Sequence, residues 1–259
     1  RSEEAKKDLA GRNLNRSRTP QSEQFLKFIA ANWDETAEEL PQASEAAEYC
    51  RNRRKIVADK FSGKTIVIPA GDYKVRSNDT DYRFRAHSAF AHLTGWGSAT
   101  VPESVLVIDA ALQPPRELLF FRPTAGKETE EFFANPAIGE FWVGPRPGLE
   151  EVAALLAIET KPLSELSDYL NGNESLLQLD ESSELVEFVS ELRLVKDHYE
   201  IAQMREAVSA TRSGFERIVR SLPEAVGHPR GERIVETAFF AEARLLGNEL
   251  GYDTIAAAG

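Results

Sequence analysis

Short apolar runs alternate with helical patterns through much of this sequence, and that alternation limits the possible fold more than any other feature. The strand-like runs lack charged residues and stop at turn residues. They are residues 65–68, 104–108, 118–121 and 175–179, and helical patterns cover residues 25–29, 44–61, 149–156 and 163–170. Uncharged runs of this length are typical of strands covered on both faces. We therefore predict one α/β domain over residues 22–181, with a mixed sheet flanked by helices.

From residue 182 onward the pattern is almost entirely helical. Asp197 and Glu200 have the spacing of a capping box, which marks the start of a helix. Mostly apolar residues then recur every three or four positions, which predicts an amphipathic helix that ends at Pro223. They are Ile201, Met204, Val208, Thr211, Phe215, Ile218 and Leu222. A second helix is predicted from about residue 230. We expect residues 182–259 to begin a second domain, because these helices have little chain on which to bury their apolar faces.

Composition excludes several classes of protein. The formal net charge of −11 opposes non-specific binding to nucleic acid, which requires a basic face. No stretch approaches the roughly 18 apolar residues that span a membrane, and the polar N-terminus lacks a signal-peptide core. The single cysteine, Cys50, cannot form an internal disulfide. One cysteine and four scattered histidines also cannot form a Cys/His zinc cage. We expect a cytoplasmic protein that binds neither nucleic acid nor membranes, with a mobile arm at residues 1–21.

Four segments, taken together, carry a resemblance to a known family. Residues 76–96 combine an aspartate, an aromatic residue beside an arginine, and a closing Leu-Thr-Gly-Trp. The others are FWVGPR at 141–146, ELRLVK at 191–196 with Glu-Ile at 200–201, and YDTI at 252–255 with a closing Gly259. In this order and spacing they resemble the Xaa-Pro aminopeptidase (aminopeptidase P) family, over roughly residues 22–259.

The resemblance implies a creatinase/aminopeptidase P-type N-terminal domain, followed by the first helices of an incomplete pita-bread α+β domain. It implies a metallopeptidase that removes the N-terminal residue from peptides with proline second, using two divalent metal ions, with manganese the usual metal of the family, to activate water. The family's metal ligands are two Asp, one His and two Glu, and they follow the segment that resembles residues 252–259. We therefore expect no catalytic or metal-ligating residue in this chain, and no activity of the chain alone. The expected partners are a peptide substrate, the rest of the catalytic domain and further copies in a dimer or tetramer.

The resemblance also assigns expected roles to three residues. Tyr252 matches a tyrosine that hydrogen-bonds a metal-ligating carboxylate, and the alternative is a ring that packs at a turn. Trp142 matches a tryptophan that reaches into a neighbouring subunit's active site, where its face would pack on a proline ring. The alternative for Trp142 is burial beneath its own strand. Asp79 matches an aspartate in the same substrate-binding lip that would receive the peptide's α-amino group, and the alternative is an aspartate that caps a turn.

Other charged residues near these motifs are given structural roles. Arg83 and Arg85 would share one face of a strand and pair with the protein's own carboxylates. The spacing of His87 and His92 does not suit a pair of metal ligands on one helix or strand. The basic run at residues 51–55 is expected to be a solvated helix face.

Alternative functions stay open on the sequence alone. Prolidase and creatinase share the architecture implied by the resemblance. A non-catalytic pita-bread protein would bind peptides or protein partners without cleaving them. A third possibility is a shortened chain whose remainder is a separate polypeptide. The residues beyond Gly259 would discriminate, because Asp, Asp, His, Glu and Glu in family order favour the enzyme.

Overall fold

The computed structural model describes residues 22–34, 39–78, 80–123, 125–136 and 138–258. It divides into two compact units, Arg1–Arg193 and Leu194–Gly259. The arm predicted for residues 1–21 lies outside the described residues.

The first unit is mixed α/β, which confirms the predicted fold class. Its helices are α1 (Glu23–Ile29), α2 (Ala46–Lys60), α3 (Ser88–Thr94), α4 (Glu131–Ala134), α5 (Glu140–Val143), α6 (Leu149–Leu156), α7 (Leu166–Leu170) and α8 (Ser183–Leu192), with a 3-10 turn at Leu163–Glu165. Its strands are β1 (Thr65–Pro69), β2 (Val75–Ser77), β3 (Thr80–Asp81), β4 (Val105–Asp109), β5 (Arg116–Phe121), β6 (Glu159–Pro162) and β7 (Leu176–Gln178).

Five of these strands form one mixed sheet in the order β6-β5-β4-β1-β7. The pairs β1/β4 and β4/β5 are antiparallel, whereas β1/β7 and β5/β6 are parallel. Strands β4 and β5 form a hairpin, in register from Val105 opposite Phe120 to Asp109 opposite Arg116. Strands β2 and β3 form a separate short hairpin, which was not predicted.

Apolar side chains cover both faces of the sheet, as the uncharged strand sequences predict. Ile66 and Ile68 lie in the larger cluster, together with residues of α2, α3, α6 and α8. Val67 lies in a second cluster, against residues of the 3-10 turn and α7. Each fully buried side chain of this size stabilises the fold by about 1.5–3 kcal/mol. Because neighbours on a strand point to opposite faces, one unbroken apolar run supplies both clusters.

Helix α8 belongs to the first unit. Leu185 and Val189 are buried in its larger cluster. The domain division that we predicted after residue 181 precedes this helix, whereas the two compact units divide after it, at Arg193.

The expectation that residues 51–55 form a solvated basic face is wrong for Arg53 and Arg54. Both are buried, and their guanidinium groups donate 2.8 Å hydrogen bonds to the carbonyl oxygens of His92 and Leu93 in α3. The Arg54 Nε also lies 2.7 Å from a carboxylate oxygen of Glu117. Two positive charges thus satisfy the last carbonyls of a packed helix.

The strand predicted for Arg83 and Arg85 is also absent. The N–H of Tyr82 donates to the Lys74 carbonyl at 2.9 Å, and residues 82–87 then run without strand structure into α3. Phe84 packs against the main cluster instead. The short β2/β3 hairpin ends before these residues, so no paired neighbour holds them in a strand.

The second unit contains two long helices, α9 (His198–Ala225) and α10 (Gly231–Leu246). The predicted capping box is present, because the Asp197 carboxylate accepts from the Glu200 N–H at 2.9 Å and the Glu200 carboxylate accepts from the Asp197 N–H at 3.0 Å. The predicted end at Pro223 is wrong. Proline removes one N–H, but the Val226 N–H still donates to the Leu222 carbonyl, so the helical turn is completed beyond the proline.

Candidate substrate-binding lip

Trp142 lies on α5, a single helical turn between two glycines. A Cβ at Gly139 would collide with backbone carbonyl oxygens of α4 and its C-cap. Gly144 has φ 78° and ψ −179°, a conformation that residues with a side chain rarely adopt. The backbone on both sides of the tryptophan is therefore fixed by positions that require glycine.

The Trp142 indole is held by several contacts and is still partly exposed. Its Nε1–H donates to the Phe133 carbonyl oxygen at 2.8 Å. Its ring centroid lies 5.2 Å from that of Phe133 and 5.1 Å from that of Phe141. The side chain nevertheless remains 38% exposed. It lies on a helix and is partly open, so burial beneath a strand does not describe it.

Helix α1 and the residues after it add further aromatic contacts to this region. Phe25 meets Phe133 edge to face at 5.3 Å, and Trp33 meets Phe132 at 5.6 Å and Phe141 at 6.1 Å. Such pairs contribute about 0.5–1.5 kcal/mol each beyond the area they bury. The N-terminal helix thus supports the residues on which the Trp142 indole rests.

The other motif segment is anchored through α3. The neutral His87 Nδ1 accepts from the Ala89 N–H at 3.2 Å and caps this helix. Burial lowers the pKa of His87, and the charge of Arg193 lowers it further. Trp96, just after the helix, is buried and meets Phe121 edge to face at 5.1 Å. His87 therefore has the structural role that we predicted.

Tyr73 joins the two motif segments. Its ring meets Phe84 edge to face at 5.7 Å, and its hydroxyl oxygen accepts from the Arg146 Nη2 at 3.5 Å. The Arg146 backbone N–H in turn donates to the Glu140 carboxylate at 3.3 Å, on the same short helix as Trp142. A contiguous set of contacts therefore runs from the segment before α3 to the Trp142 turn.

The structure places the three predicted site residues differently. Asp79 lies outside the described residues. Trp142 belongs to the first unit and Tyr252 to the second, so we describe each within its own unit. The Tyr252 side chain is 85% exposed. It lines an open groove of about 1910 Å³ within the second unit, together with apolar residues that include Phe215, Leu222 and Ile255.

The described residues contain no group of three or more His, Cys, Asp and Glu side chains that could hold a metal ion. They therefore do not fit a dinuclear metal centre, and we derive no catalytic step from them. None of the helices in the described part of the chain is long and apolar enough to cross a membrane.

Sequence reasoning missed the roles of Tyr73, Arg146 and Glu140. Arg146 lies in the FWVGPR motif, but no signal in the sequence paired it with a tyrosine 73 positions away. Tyr73 follows a Pro-Ala-Gly-Asp turn, where a polar aromatic residue is ordinary.

Comparisons with known proteins agree on one family. The family model "Aminopeptidase P, N-terminal domain" matches residues 49–178. "Xaa-Pro aminopeptidase 1" of Streptomyces coelicolor is 35% identical over 257 residues, which cover 92% of this chain and 51% of that protein. "Xaa-Pro aminopeptidase 2" of the same organism is 31% identical over 272 residues, covering 97% of this chain and 56% of that protein. The chain thus spans about half the length of these relatives.

Solved structures show the same fold. Escherichia coli aminopeptidase P with the inhibitor Pro-Leu has a TM-score of 0.60 at 22% identity, covering 80% of this chain and 51% of that one. The zinc-substituted form of that enzyme in complex with product has a TM-score of 0.58 at 20% identity, with the same coverage. With the family model matching half of the sequence and relatives aligned along nearly all of it, the chain belongs to the aminopeptidase P family.

Proposed function

We propose that the full-length protein is an Xaa-Pro aminopeptidase, a hydrolase that removes the first residue from peptides with proline second. The observation that carries this proposal is the 35% identity to "Xaa-Pro aminopeptidase 1" across 92% of the chain. The geometry adds support, because the Trp142 indole is partly exposed and an aromatic ring of this kind packs well against a proline ring.

In this proposal, the chain supplies recognition rather than bond cleavage. Trp142, carried on a glycine-fixed turn, would contact the proline side of the peptide and exclude water from it. Asp79 would receive the peptide's α-amino group. Tyr252 would hydrogen-bond a carboxylate that binds metal, which fixes the orientation of that ligand.

The cofactor in this proposal is a pair of divalent ions, manganese by preference, bound by the rest of the catalytic domain. Hard carboxylate ligands suit manganese, and two cations together lower the pKa of a bound water. The groove of the second unit is the surface on which that remaining part would pack, because its apolar lining is otherwise open to solvent.

We further propose a cytoplasmic homo-oligomer, either a dimer or a tetramer. The sequence contains a single cysteine, Cys50, which agrees with a reducing compartment. The partial exposure of Trp142 agrees with a contact across subunits.

The test is peptide hydrolysis by the full-length protein after metal removal and reconstitution with Mn²⁺. We expect release of the first residue from Xaa-Pro-Yaa peptides and none from matched Xaa-Ala-Yaa peptides. Stable metal binding without hydrolysis would overturn the proposal, and peptide binding without cleavage would point to a binding module. Cleavage restricted to Xaa-Pro dipeptides would instead indicate a prolidase.

The role of Trp142 is tested in the same assay. Replacing Trp142 with Ala should lower kcat/KM for Xaa-Pro-Yaa by about tenfold or more, the size expected for loss of a buried aromatic contact. Val143→Ala removes a neighbouring exposed apolar side chain from the same turn and is the control, with kcat/KM expected to stay within about twofold.

A further inference from the structure

The backbone around Tyr73 is held by hydrogen bonds to two other segments. Gly71 accepts from the Glu103 N–H at 2.8 Å, and Lys74 accepts from the Tyr82 N–H at 2.9 Å. The Tyr73 N–H itself donates to the Asp72 carboxylate at 2.7 Å. These hydrogen bonds fix the backbone around Tyr73, and that backbone sets the direction of the Tyr73 side chain.

The hydroxyl end of the Tyr73 side chain contacts the FWVGPR segment at residues 141–146. The Tyr73 hydroxyl accepts from Arg146, whose backbone N–H is bound by Glu140. Arg146 follows Gly144, so the chain between Trp142 and Arg146 passes through a conformation that only glycine adopts readily. A change at Arg146 should therefore alter the Trp142 turn, because the short backbone segment between them is constrained at Gly144.

We propose that Tyr73 is a positioning residue that sets the Trp142 turn against the segment before α3, and thereby tunes binding of the peptide. This inference rests on the proposed function, in which both segments form the substrate-binding lip. In this proposal Tyr73 acts through Trp142 and not on the reacting atoms. Its effect is to limit the orientations available to the Trp142 indole, which lowers the entropy cost of ordering that face around a substrate.

The first test reads the indole directly, without activity. In this 259-residue chain, Trp33→Phe leaves Trp142 and the buried Trp96 as the fluorophores, so acrylamide quenching reports mainly on Trp142. In this background Tyr73→Phe, which keeps the ring contact but removes the hydroxyl that accepts from Arg146, should raise the quenching constant by about 1.5-fold or more. Arg146→Ala should do the same.

The combination of these changes is decisive. If the two side chains act through one contact, the double variant should quench no more than either single variant. Tyr82→Ala is the control, because Tyr82 belongs to the same segment and is 59% exposed. Unchanged quenching in Tyr73→Phe, or simple additivity with Arg146→Ala, would overturn the proposal. Tyr73→Phe is a mild change, and a melting temperature close to that of the parent confirms that the variant is folded.

The second test measures kinetics in the full-length protein. Tyr73→Phe should raise KM for Xaa-Pro-Yaa by about threefold while kcat stays within about twofold, since it weakens binding rather than chemistry. A fall in kcat at constant KM would contradict a positioning role. If the parent protein hydrolyses no peptide, the proposed function fails, and the quenching experiment alone decides whether Tyr73 positions Trp142.

Discussion

Replacing Gly214 with alanine should destabilise the α9/α10 pair, although the same change stabilises most helices. Glycine in a helix interior costs about 0.5–1 kcal/mol relative to alanine. Gly214 lies within α9 and is its one buried residue among those described. A Cβ at this position would lie 2.6 Å from Cε2 and 2.7 Å from Cδ2 of Phe239 on α10. The two helices therefore pack closely because this position has no side chain.

The magnitude follows from two opposing effects. The propensity gain is about 1 kcal/mol. Overpacking a contact by one methyl group typically costs about 1–3 kcal/mol, since a ring or a backbone must move. Phe239 also contacts Phe215 edge to face at 5.6 Å, so its ring cannot turn away without losing that contact. We expect a net loss of about 1 kcal/mol, with overpacking the larger effect.

Hydrogen exchange is the suitable assay, because a chain with two units need not unfold in one step. Protection of amides in α9 and α10 should fall by about fivefold in Gly214→Ala, as expected for a loss of about 1 kcal/mol. Ser209→Ala, at an exposed position of the same helix, supplies the propensity gain without a clash and should raise protection.

A compensating change identifies the cause. Adding Phe239→Leu to Gly214→Ala makes room for the new methyl group. The loss of stability in the double variant should therefore be smaller than the sum of the losses in the two single variants. If Gly214→Ala raises protection as Ser209→Ala does, the helices separate at no cost and the close-packing argument is refuted.

Three further predictions concern the first unit. Arg54→Ala should lower the free energy of unfolding by about 3 kcal/mol or more in a denaturation series, because it leaves the carboxylate of Glu117 and the Leu93 carbonyl without this partner. Arg51 is exposed, and Arg51→Ala should change the free energy of unfolding by no more than about 0.5 kcal/mol in the same series. Burial, with a hydrogen bond to a buried aspartate, raises the pKa of Tyr169 from 10.0 to about 12. The contribution of the neutral Tyr169 phenol to the free energy of unfolding should be complete below pH 10 and lost as the pH rises toward 12. The stability of the wild type should therefore fall relative to that of Tyr169→Phe only in that window. Parallel curves of stability against pH for the two proteins would contradict this. Gly139→Ala should shift the Trp142 emission and lower the melting temperature, while Gly97→Ala, where no atom lies within 4 Å of the added Cβ, should do neither.

The hydrogen bonds of Tyr169 explain the loss of stability that we predict between pH 10 and 12. Tyr169 O–H donates to the Asp109 carboxylate at 2.9 Å, and the Thr65 hydroxyl donates to the same carboxylate at 3.0 Å. Ionising the phenol would place two negative oxygens side by side and remove a donor from a buried acceptor. The neutral phenol is therefore the form that the fold favours.

Local sequence signals determined the element types. The uncharged runs became β1, β4, β5 and β7, and the capping box at Asp197 and Glu200 starts α9 in the structure, because these signals act within a few residues. The four motif segments, taken together in their order and spacing, likewise identified the family. The edge strand β6 was missed, since its sequence ETKP carries no apolar pattern and it pairs only because β5 lies beside it.

Tertiary packing decided which of these residues are buried and which meet. Arg53 and Arg54 look like a solvated basic face, yet they are buried because α3 presents its unpaired carbonyls to them. The contact between Tyr73 and Arg146 joins residues far apart in the chain. The sequence by itself determined the elements and the family, whereas the surroundings of each charged or aromatic side chain depended on which distant segments the sheet brings together.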